Sequence, residues 1–485
     1  MMKSTRSNIS VSASYAIVKG LASDGGLYVF EKLNKGFFNL NLLGKSYEEL
    51  AFFVMRELLD DFSDDMIKEV VNKSYNKDNF KPEVVSLKSF AGFSYLNLFN
   101  GSTFAFKDLA LSTLPNLFAE SKKIQKINKK TIILTATSGD TGSAALSGFS
   151  KLDDVYVVVL YPAYGVSEFQ EKQMSFYSGY KNIVLPVEGN FDDCQRIVKQ
   201  AFNNLKPSNV NLSSANSINI GRIIPQVIYY IHAYCDLVNK DIIKYNDLID
   251  ITVPTGNFGN IYSAYLAKQL GVPIRNLVIA SNKNNVLTDL FNEHTYNTSR
   301  PLYKTISPSM DILVSSNFER YLCSLYNQNS ELVRNDMEIL KKEKILNLEI
   351  LKSQKDFYAY YCDELETKKT IKEVYDRDKY LIDPHTAVAY NCMEKYKQDV
   401  ADDTYMLVVS TASPFKFSDA ILDIFKIDQE KPIIDRFNSL SKTFNIPIDD
   451  RMLKVLDVET PGLTIELDKA YSALERIIGE IDAAN

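Results

Sequence analysis

The chain has 485 residues, with 55 lysines and arginines against 61 aspartates and glutamates, which gives a formal net charge of −6. This length predicts two or three domains with a large core, and the mildly acidic balance argues against nucleic acid as a partner. No apolar run is long enough to cross a bilayer, and none follows residues 1–7, so we expect neither a membrane partner nor a signal peptide.

The five cysteines and three histidines are scattered along the chain. None lies close enough in sequence to another to form a metal-binding knuckle, so we expect no metal site. Unpatterned cysteines fit a reducing compartment, and we therefore expect a cytoplasmic protein.

Apolar periodicity predicts the order of the secondary structure. The first 90 or so residues predict mixed α+β structure, with helical spacing over residues 47–59. Beyond them, short apolar runs alternate with helical segments, which indicates parallel strands covered by helices. The predicted strands are 131–135, 154–160, 182–187, 248–253, 276–280 and 405–409. The charged, tyrosine-rich stretch from about 327 to 379 predicts a helical insertion outside the sheets.

Lys107 lies inside an apolar run, between Phe106 on one side and Leu109 on the other. Apolar surroundings penalise the ammonium form, lower the pKa of the lysine and make the neutral amine a nucleophile toward carbonyl groups. The alternative is a solvated lysine that packs only its methylene groups against the aromatic rings. The run is therefore a candidate attachment point for an aldehyde cofactor.

Residues 253–260 (VPTGNFGN) follow one predicted strand and precede a helix. Gly256 and Gly259 permit close backbone approach, and successive N–H groups at a helix start form a nest for an anion such as phosphate. A tight strand–helix turn with nothing bound is the alternative interpretation.

Residues 135–142 (TATSGDTG) have the same setting but carry more hydroxyl groups. Thr137, Ser138 and Thr141 suit a substrate carboxylate. Asp140 repels such a group, so it either caps the following helix or contacts a cofactor hydroxyl or a protonated imine.

Residues 216–222 (NSINIGR) combine amide, hydroxyl and guanidinium groups. Asn216, Ser217 and Arg222 can bind a phosphate through several donors, or they form a capped helix start with a surface arginine. Ligands of open parallel sheets bind beyond the carboxyl ends of strands, where the 135–142 and 253–260 loops and the 410–414 turn lie. Two anion sites of different character indicate a phosphorylated cofactor together with a phosphorylated substrate.

Taken in order, these segments resemble threonine synthases, pyridoxal-phosphate enzymes of the fold-type-II (tryptophan-synthase-β-like) family. The matching segments are 20–28, 104–108, 137–142, 216–222, 256–260, 307–312, 316–320, 383–387 and 410–417. The resemblance implies an α/β fold with two parallel-sheet domains, the active site between them, and an N-terminal α+β segment. We expect that segment over residues 1–90, the first domain over 91–225 with the lysine and substrate loops, and the second over 226–485 with the phosphate loop and the insertion.

The same resemblance implies roles for individual residues. Lys107 forms the Schiff base with the aldehyde of pyridoxal 5'-phosphate and shuttles protons, Thr411 faces the pyridine nitrogen, and Asp140 lies near the ring hydroxyl. The cofactor phosphate is held by Gly256, Asn257, Phe258, Gly259 and Asn260. The substrate carboxylate is bound by Thr137, Ser138 and Thr141, and the substrate phosphate by Asn216, Ser217 and Arg222.

The implied reaction converts O-phospho-L-homoserine and water to L-threonine and phosphate, in a monomer or homodimer. Three alternatives stay open: a sister lyase or dehydratase of the same fold, a non-catalytic phosphate-ligand binder, and an interaction protein that has lost activity. His385 is interpreted as a structural histidine in a turn after Pro384 rather than as an acid or base, because Lys107 already serves for proton transfer.

Overall fold

The structure of the protein is a computed structural model that describes residues 1–427, 431–460 and 462–484. The strands are β1 (Met2–Ser4), β2 (Ser10–Val11), β3 (Tyr28–Phe30), β4 (Ser86–Phe90), β5 (Phe93–Asn97), β6 (Lys130–Ala136), β7 (Val155–Pro162), β8 (Asn182–Glu188), β9 (Val210–Ser214), β10 (Ile249–Pro254), β11 (Ile274–Ser281), β12 (Thr295–Asn297), β13 (Ile345–Asn347), β14 (Phe357–Tyr361), β15 (Tyr405–Ser410) and β16 (Ile465–Glu466).

The α-helices are α1 (Ala13–Lys19), α2 (Tyr47–Leu58), α3 (Asp64–Ser74), α4 (Lys107–Leu111), α5 (Leu114–Ile124), α6 (Asp140–Phe149), α7 (Glu168–Phe176), α8 (Phe191–Asn204), α9 (Ile224–Asn239), α10 (Gly259–Gln269), α11 (Val286–Glu293), α12 (Phe318–Leu325), α13 (Ser330–Glu343), α14 (Glu364–Asp378), α15 (Pro384–Val400), α16 (Ser418–Ile424), α17 (Ile433–Phe444), α18 (Asp450–Leu456) and α19 (Leu467–Ala483). Among the described residues, no helix combines the length and the apolar character needed to cross a bilayer.

A five-stranded parallel sheet in the order β16-β8-β7-β6-β9 forms one half of the molecule. The strands predicted at 131–135, 154–160 and 182–187 are its three central strands. All eight residues of β7 are buried, because helices cover both faces of the sheet and exclude water from each. The loop after β6 leads directly into α6.

A six-stranded sheet in the order β14-β11-β10-β15-β5-β4 forms the other half. Its strands are parallel except β4, which pairs antiparallel with β5 at one edge. The strands predicted at 248–253, 276–280 and 405–409 are β10, β11 and β15. The parallel α/β prediction is thus confirmed for both sheets.

Three segments join sheets to which the sequence pattern did not assign them. Phe93–Asn97 pairs with β15 of the six-stranded sheet, so this strand lies outside the first domain expected from residue 91. Phe357–Tyr361 pairs with β11, so the expected insertion at 327–379 contributes an edge strand. Ile465–Glu466 pairs with β8 of the five-stranded sheet. Each pairing joins residues far apart in sequence, which local periodicity does not reveal.

The N-terminal segment has the mixed α+β structure that its sequence predicted. An antiparallel sheet in the order β2-β1-β3 shares one hydrophobic core with α1 to α3. The helix predicted at 47–59 is Tyr47–Leu58, and it begins with a capping box between Ser46 and Glu49. Arg6 bonds to Glu319 of α12 at 2.7 Å, which ties this segment to the second half of the chain.

Gly148 lies where α6 packs closely on the end of α4. A Cβ atom at this position would overlap the carbonyl oxygen of Leu111, so only glycine permits this approach. The contact joins the C-terminal ends of the two helices, whose first residues are Lys107 and Asp140.

We predict that Gly148→Ala lowers the free energy of unfolding by about 1–3 kcal/mol, because the added methyl group forces α6 away from α4. Gly479→Ala in α19 is the matched control, since its added Cβ meets no atom within 4 Å and alanine favours a helix by roughly 0.5–1 kcal/mol. Urea unfolding of the two variants measures both changes. Equal unfolding midpoints for Gly148→Ala and the wild type would contradict the proposed close packing.

Candidate active site

The backbone before α4 places the lysine motif beside the end of β15. Phe106 donates its N–H to the carbonyl oxygen of Thr411 at 2.8 Å, and Ser413 donates its N–H to that of Phe104 at 3.0 Å. Thr411 is the residue that directly follows β15. The lysine motif therefore lies directly beside the 410–414 turn.

Lys107 is buried, with 8% of its surface exposed. Its Nζ donates to the Oγ of Ser309 at 3.2 Å and lies 3.6 Å from the Oδ2 of Asp140. Burial is the main cause that lowers the pKa of Lys107 to about 8; the Asp140 carboxylate opposes this shift, and the charges of Arg222 and Lys416 support it. The structure therefore shows Lys107 buried and its pKa lowered, as the apolar run predicted.

Asp140 uses its two carboxylate oxygens for different partners. Oδ1 accepts from the Nε2 of Gln170 at 2.8 Å and pairs with the Nζ of Lys416 at 2.9 Å. Oδ2 accepts from the Oγ of Ser309 at 3.1 Å and faces Lys107. Burial alone would raise the pKa of Asp140, but the Lys416 and Lys107 ammonium groups hold it well below its usual range. Asp140 makes no capping bond to α6, so the capping alternative is wrong.

Thr137 stabilises the hydroxyl-rich loop of residues 135–142 through two internal hydrogen bonds. Its Oγ1 accepts the N–H groups of Gly139 at 3.0 Å and Gly142 at 2.9 Å. Gly139 has a φ of 120°, which an L side chain rarely adopts. Ser138 and Thr141 lie on the same turn and are only half-buried, so their hydroxyl groups remain reachable by a ligand.

The Gly256 loop depends on a close approach of two backbones. A Cβ on Gly256 would lie 2.5 Å from the carbonyl oxygen of Ser309. Phe258 has a φ of 61°, and its ring is buried against Phe291 and Phe357. The aromatic contacts hold a backbone conformation that a non-glycine residue adopts only at a cost.

Hydrogen bonds orient the peptide groups of this loop. The carbonyl oxygen of Gly256 accepts from the Oγ of Ser315 at 2.7 Å, and that of Asn257 accepts from the Nδ2 of Asn317 at 2.8 Å. Because C=O and N–H point in opposite directions across a trans peptide, the N–H groups of Asn257 and Phe258 face away from these partners. α10 starts directly after, with no side-chain cap, so N–H groups collect at one place, as an anion nest requires.

Asn260 adds a donor at the start of α10. The hydroxyl groups of Tyr229 and Tyr230 donate to its Oδ1 at 2.5 Å and 2.6 Å. Its buried Nδ2 has no hydrogen-bond partner among the described residues. An unpaired buried donor is costly unless a ligand pairs with it, so a ligand acceptor at this position would relieve that cost.

Arg222 is a buried cation without a counter-ion in the described part of the chain. It is 2% exposed, its Nη1 donates to the carbonyl oxygen of Ala215 at 3.0 Å, and its Nε has no partner. Burial lowers the pKa of Arg222 to about 10. The Oδ1 of Asn216 is also buried without a partner, while the Oγ of Ser217 accepts from Asn317 at 3.0 Å. The surface-arginine alternative is therefore wrong, and an entering anion would relieve the uncompensated charge.

His385 lies in the first turn of α15, with 2% of its surface exposed. Its Nε2 accepts the N–H of Ser309 at 3.2 Å, and its Nδ1 is 2.9 Å from the Oδ1 of Asp383. An accepting Nε2 requires the proton on Nδ1, which then donates to Asp383. His385 thus holds the backbone of Ser309 in place, which agrees with a structural role.

Sequence reasoning missed Ser309, Gln170 and Lys416 as members of the site. Lys416 is fully buried in a short 3-10 turn at Pro414–Phe417. A signal for it was present, because Lys416 stands between two phenylalanines in PFKF much as Lys107 follows FAF. Gln170 gave no such signal, since polar residues in helices are ordinary, and Ser309 was marked only by its place in the matching segment 307–312.

Known protein families match most of the chain. The family model "Pyridoxal-phosphate dependent enzyme" matches residues 95–411, "Threonine synthase N terminus" matches 2–75, and "Threonine synthase, C-terminal" matches 386–445. The threonine synthase of Schizosaccharomyces pombe is 38% identical over 446 residues, which cover 84% of this chain and 85% of that protein. The chain belongs to the threonine synthase family.

Two further threonine synthase relatives define the extent of the match. Human threonine synthase-like 1 is 37% identical over 440 residues, which cover 86% of this chain but 58% of that protein. The chain therefore spans little more than half the length of this relative. A crystal structure of PLP-bound threonine synthase from Brucella melitensis has a TM-score of 0.85, 32% identity and 98% coverage of both chains. The fold-type-II prediction is confirmed.

The residues of the site fit the cofactor of this family of pyridoxal-phosphate-dependent enzymes. Lys107 supplies a buried amine with a lowered pKa. The start of α10 collects N–H groups, and Asn260 adds an unpartnered Nδ2. The amine of Lys107 suits the cofactor aldehyde, and the N–H groups of α10 together with the Asn260 Nδ2 suit the cofactor phosphate.

We predict that Gly256→Ala weakens binding of pyridoxal phosphate by at least about tenfold, because the new Cβ and the Ser309 carbonyl cannot share the space. Titration of the cofactor-free protein, followed by visible absorbance, measures the affinity. Gly479→Ala, which meets no neighbouring atom, should bind with wild-type affinity. An unchanged affinity in Gly256→Ala would show that the loop does not hold the cofactor.

Proposed function

We propose that this chain is a threonine synthase that converts O-phospho-L-homoserine and water to L-threonine and phosphate. The observation that carries the proposal is a buried, reactive amine at Lys107 together with a separate buried cation, Arg222, that has no counter-ion in the described structure. The amine suits an aldehyde cofactor, and the uncompensated cation suits a phosphorylated substrate. Relatives named threonine synthase that match most of the chain give further support.

Lys107 moves the protons of the reaction in this proposal. Bound pyridoxal phosphate would supply an aldehyde for the substrate amine and an electron sink that makes the α and β protons acidic. Once the Nζ of Lys107 is free, it takes the α proton and later returns one. Its pKa of about 8 suits both directions of transfer near neutral pH. Asp140 and Ser309 keep the Nζ in place between these steps.

The remaining site residues bind and orient. The loop of Gly256, Asn257, Phe258, Gly259 and Asn260 would hold the cofactor phosphate, and Asp140 would lie near the ring hydroxyl. The hydroxyl of Thr411 would face the pyridine nitrogen, where it does not force protonation as a carboxylate does. This leaves more of the proton chemistry to Lys107.

Substrate recognition is divided between two loops. Ser138 and Thr141, on the turn that Thr137 braces, would bind the substrate carboxylate. The substrate phosphate would be bound by Arg222 with Asn216 and Ser217, and its charge would neutralise the buried guanidinium.

The five buried free cysteines support a reducing, cytoplasmic location, which we propose together with a monomeric or homodimeric state.

The reaction test uses the purified protein with O-phospho-L-homoserine. We expect threonine and inorganic phosphate in equal amounts, and loss of at least about 10³-fold in turnover for Lys107→Ala. Borohydride reduction should add the mass of the reduced cofactor at Lys107 and remove the long-wavelength absorbance. Phosphate release with a keto acid instead of threonine would identify a lyase or dehydratase. Absence of the borohydride adduct would indicate a non-catalytic binder.

Arg222→Met separates substrate binding from folding. We predict that the KM for O-phospho-L-homoserine rises roughly 30- to 100-fold, because a charge-assisted hydrogen bond to phosphate is lost. The cofactor-free variant should be no less stable than the wild type, since it no longer buries an unpaired cation. Arg196→Met, which removes an exposed arginine paired with Asp193, is the control and should leave KM unchanged. An unaltered KM in Arg222→Met would place the phosphate elsewhere.

A further inference from the structure

Lys416 is a second buried lysine within the candidate site. None of its surface is exposed, and its Nζ has three fixed partners. It donates to the carbonyl oxygen of Thr103 at 2.7 Å, to the Oε1 of Gln173 at 2.8 Å, and pairs with the Oδ1 of Asp140 at 2.9 Å. An ammonium group has three protons, so each of them is used.

These partners belong to separate parts of the chain. Thr103 precedes the lysine motif, Gln173 lies on α7, Asp140 begins α6, and Lys416 itself follows β15. A fully saturated ammonium group has no free proton to offer a ligand. Lys416 is therefore suited to hold other groups in place rather than to react.

The Asp140 carboxylate links Lys416 to the reactive amine of Lys107, because it pairs with both. Lys416 and Gln170 occupy Oδ1, so Oδ2 is left to Ser309 and Lys107. If Lys416 were uncharged, Lys107 would be the remaining cation directly opposite Asp140 and would be held more firmly in its protonated form.

We propose that Lys416 is a positioning residue that occupies one oxygen of Asp140 with a counter-charge, so that Lys107 can give up its proton. The proposal rests on the proposed role of Lys107 as the reactive amine. It assigns to Lys416 no contact with substrate or cofactor.

The charged groups around this pair come from several elements. Lys107 is influenced by Asp140, Arg222 and Lys416. Asp140 is influenced by the two lysines and by His385 of α15. Burial raises the pKa of Asp108 of α4, and the charge of Lys416 opposes that shift; both Asp108 oxygens accept hydrogen bonds from Thr103. Among the described residues, only Lys416 and Lys107 form ion pairs with Asp140. Removal of Lys416 therefore changes the charge around Lys107 and Asp140 most.

The test measures the titration of Lys107 in the full-length chain freed of cofactor. Fluorodinitrobenzene reacts only with neutral amines, and mass spectrometry of the Lys107 peptide gives the rate at each pH. The wild-type midpoint is expected near pH 8. Lys416→Met should move it upward by about one pH unit, which slows labelling at pH 7 about tenfold. Lys416→Arg, which keeps the charge, should stay close to the wild type.

Lys122→Met is the matched control, because Lys122 is also buried and pairs with an aspartate, Asp154, away from the site. It should leave the Lys107 midpoint unchanged. An unchanged midpoint in Lys416→Met, or an equal shift in Lys122→Met, would overturn the proposal. Lys416→Gln provides a second uncharged variant. If both uncharged variants failed to fold while Lys122→Met folded, Lys416 would be structural only, which also overturns it. Labelling uses no substrate, so this result is independent of threonine formation.

Discussion

One carboxylate shared between two buried ammonium groups is the interaction on which the site depends. Asp140 cannot neutralise Lys107 and Lys416 together, so the region keeps a surplus of positive charge away from water. Arg222 adds to that surplus, since it has no counter-ion among the described residues and its Nε has no hydrogen-bond partner there. Charges of this kind persist only where the surrounding fold fixes them, and they make the cleft attractive to anions before any ligand arrives.

The fold supplies this fixation by bringing loops from both sheets together. The 411–413 segment pairs with residues 104–106, which joins the reactive lysine to the six-stranded sheet. Asp140 comes from the end of β6 in the five-stranded sheet. The site therefore exists only where the carboxyl ends of strands from the two sheets meet, in line with the general behaviour of parallel sheets.

Much of this could be predicted from the sequence, because buried parallel strands are continuous apolar runs and such runs are visible locally. Lys107 was recognisable for a related reason, since a charged residue among phenylalanines stands out. The pairing of β5 with β15 and of β14 with β11 was not recognisable, because each pairing joins residues far apart along the chain. The pairing of Asp140 with both Lys107 and Lys416 could not be predicted either, since no local sequence pattern shows that Lys416 lies next to Asp140.

The position of β15 between β5 and β10 has a consequence for biosynthesis. Phe93–Asn97 emerges early from the ribosome, but its parallel neighbour Tyr405–Ser410 emerges only when most of the chain has been made. Until then, the backbone groups of Phe93–Asn97 that later bond to β15 have no partner, and this pairing must close a very long loop. The nascent chain is therefore exposed to aggregation for most of its synthesis, and shielding by chaperones would benefit it before any catalytic group is assembled.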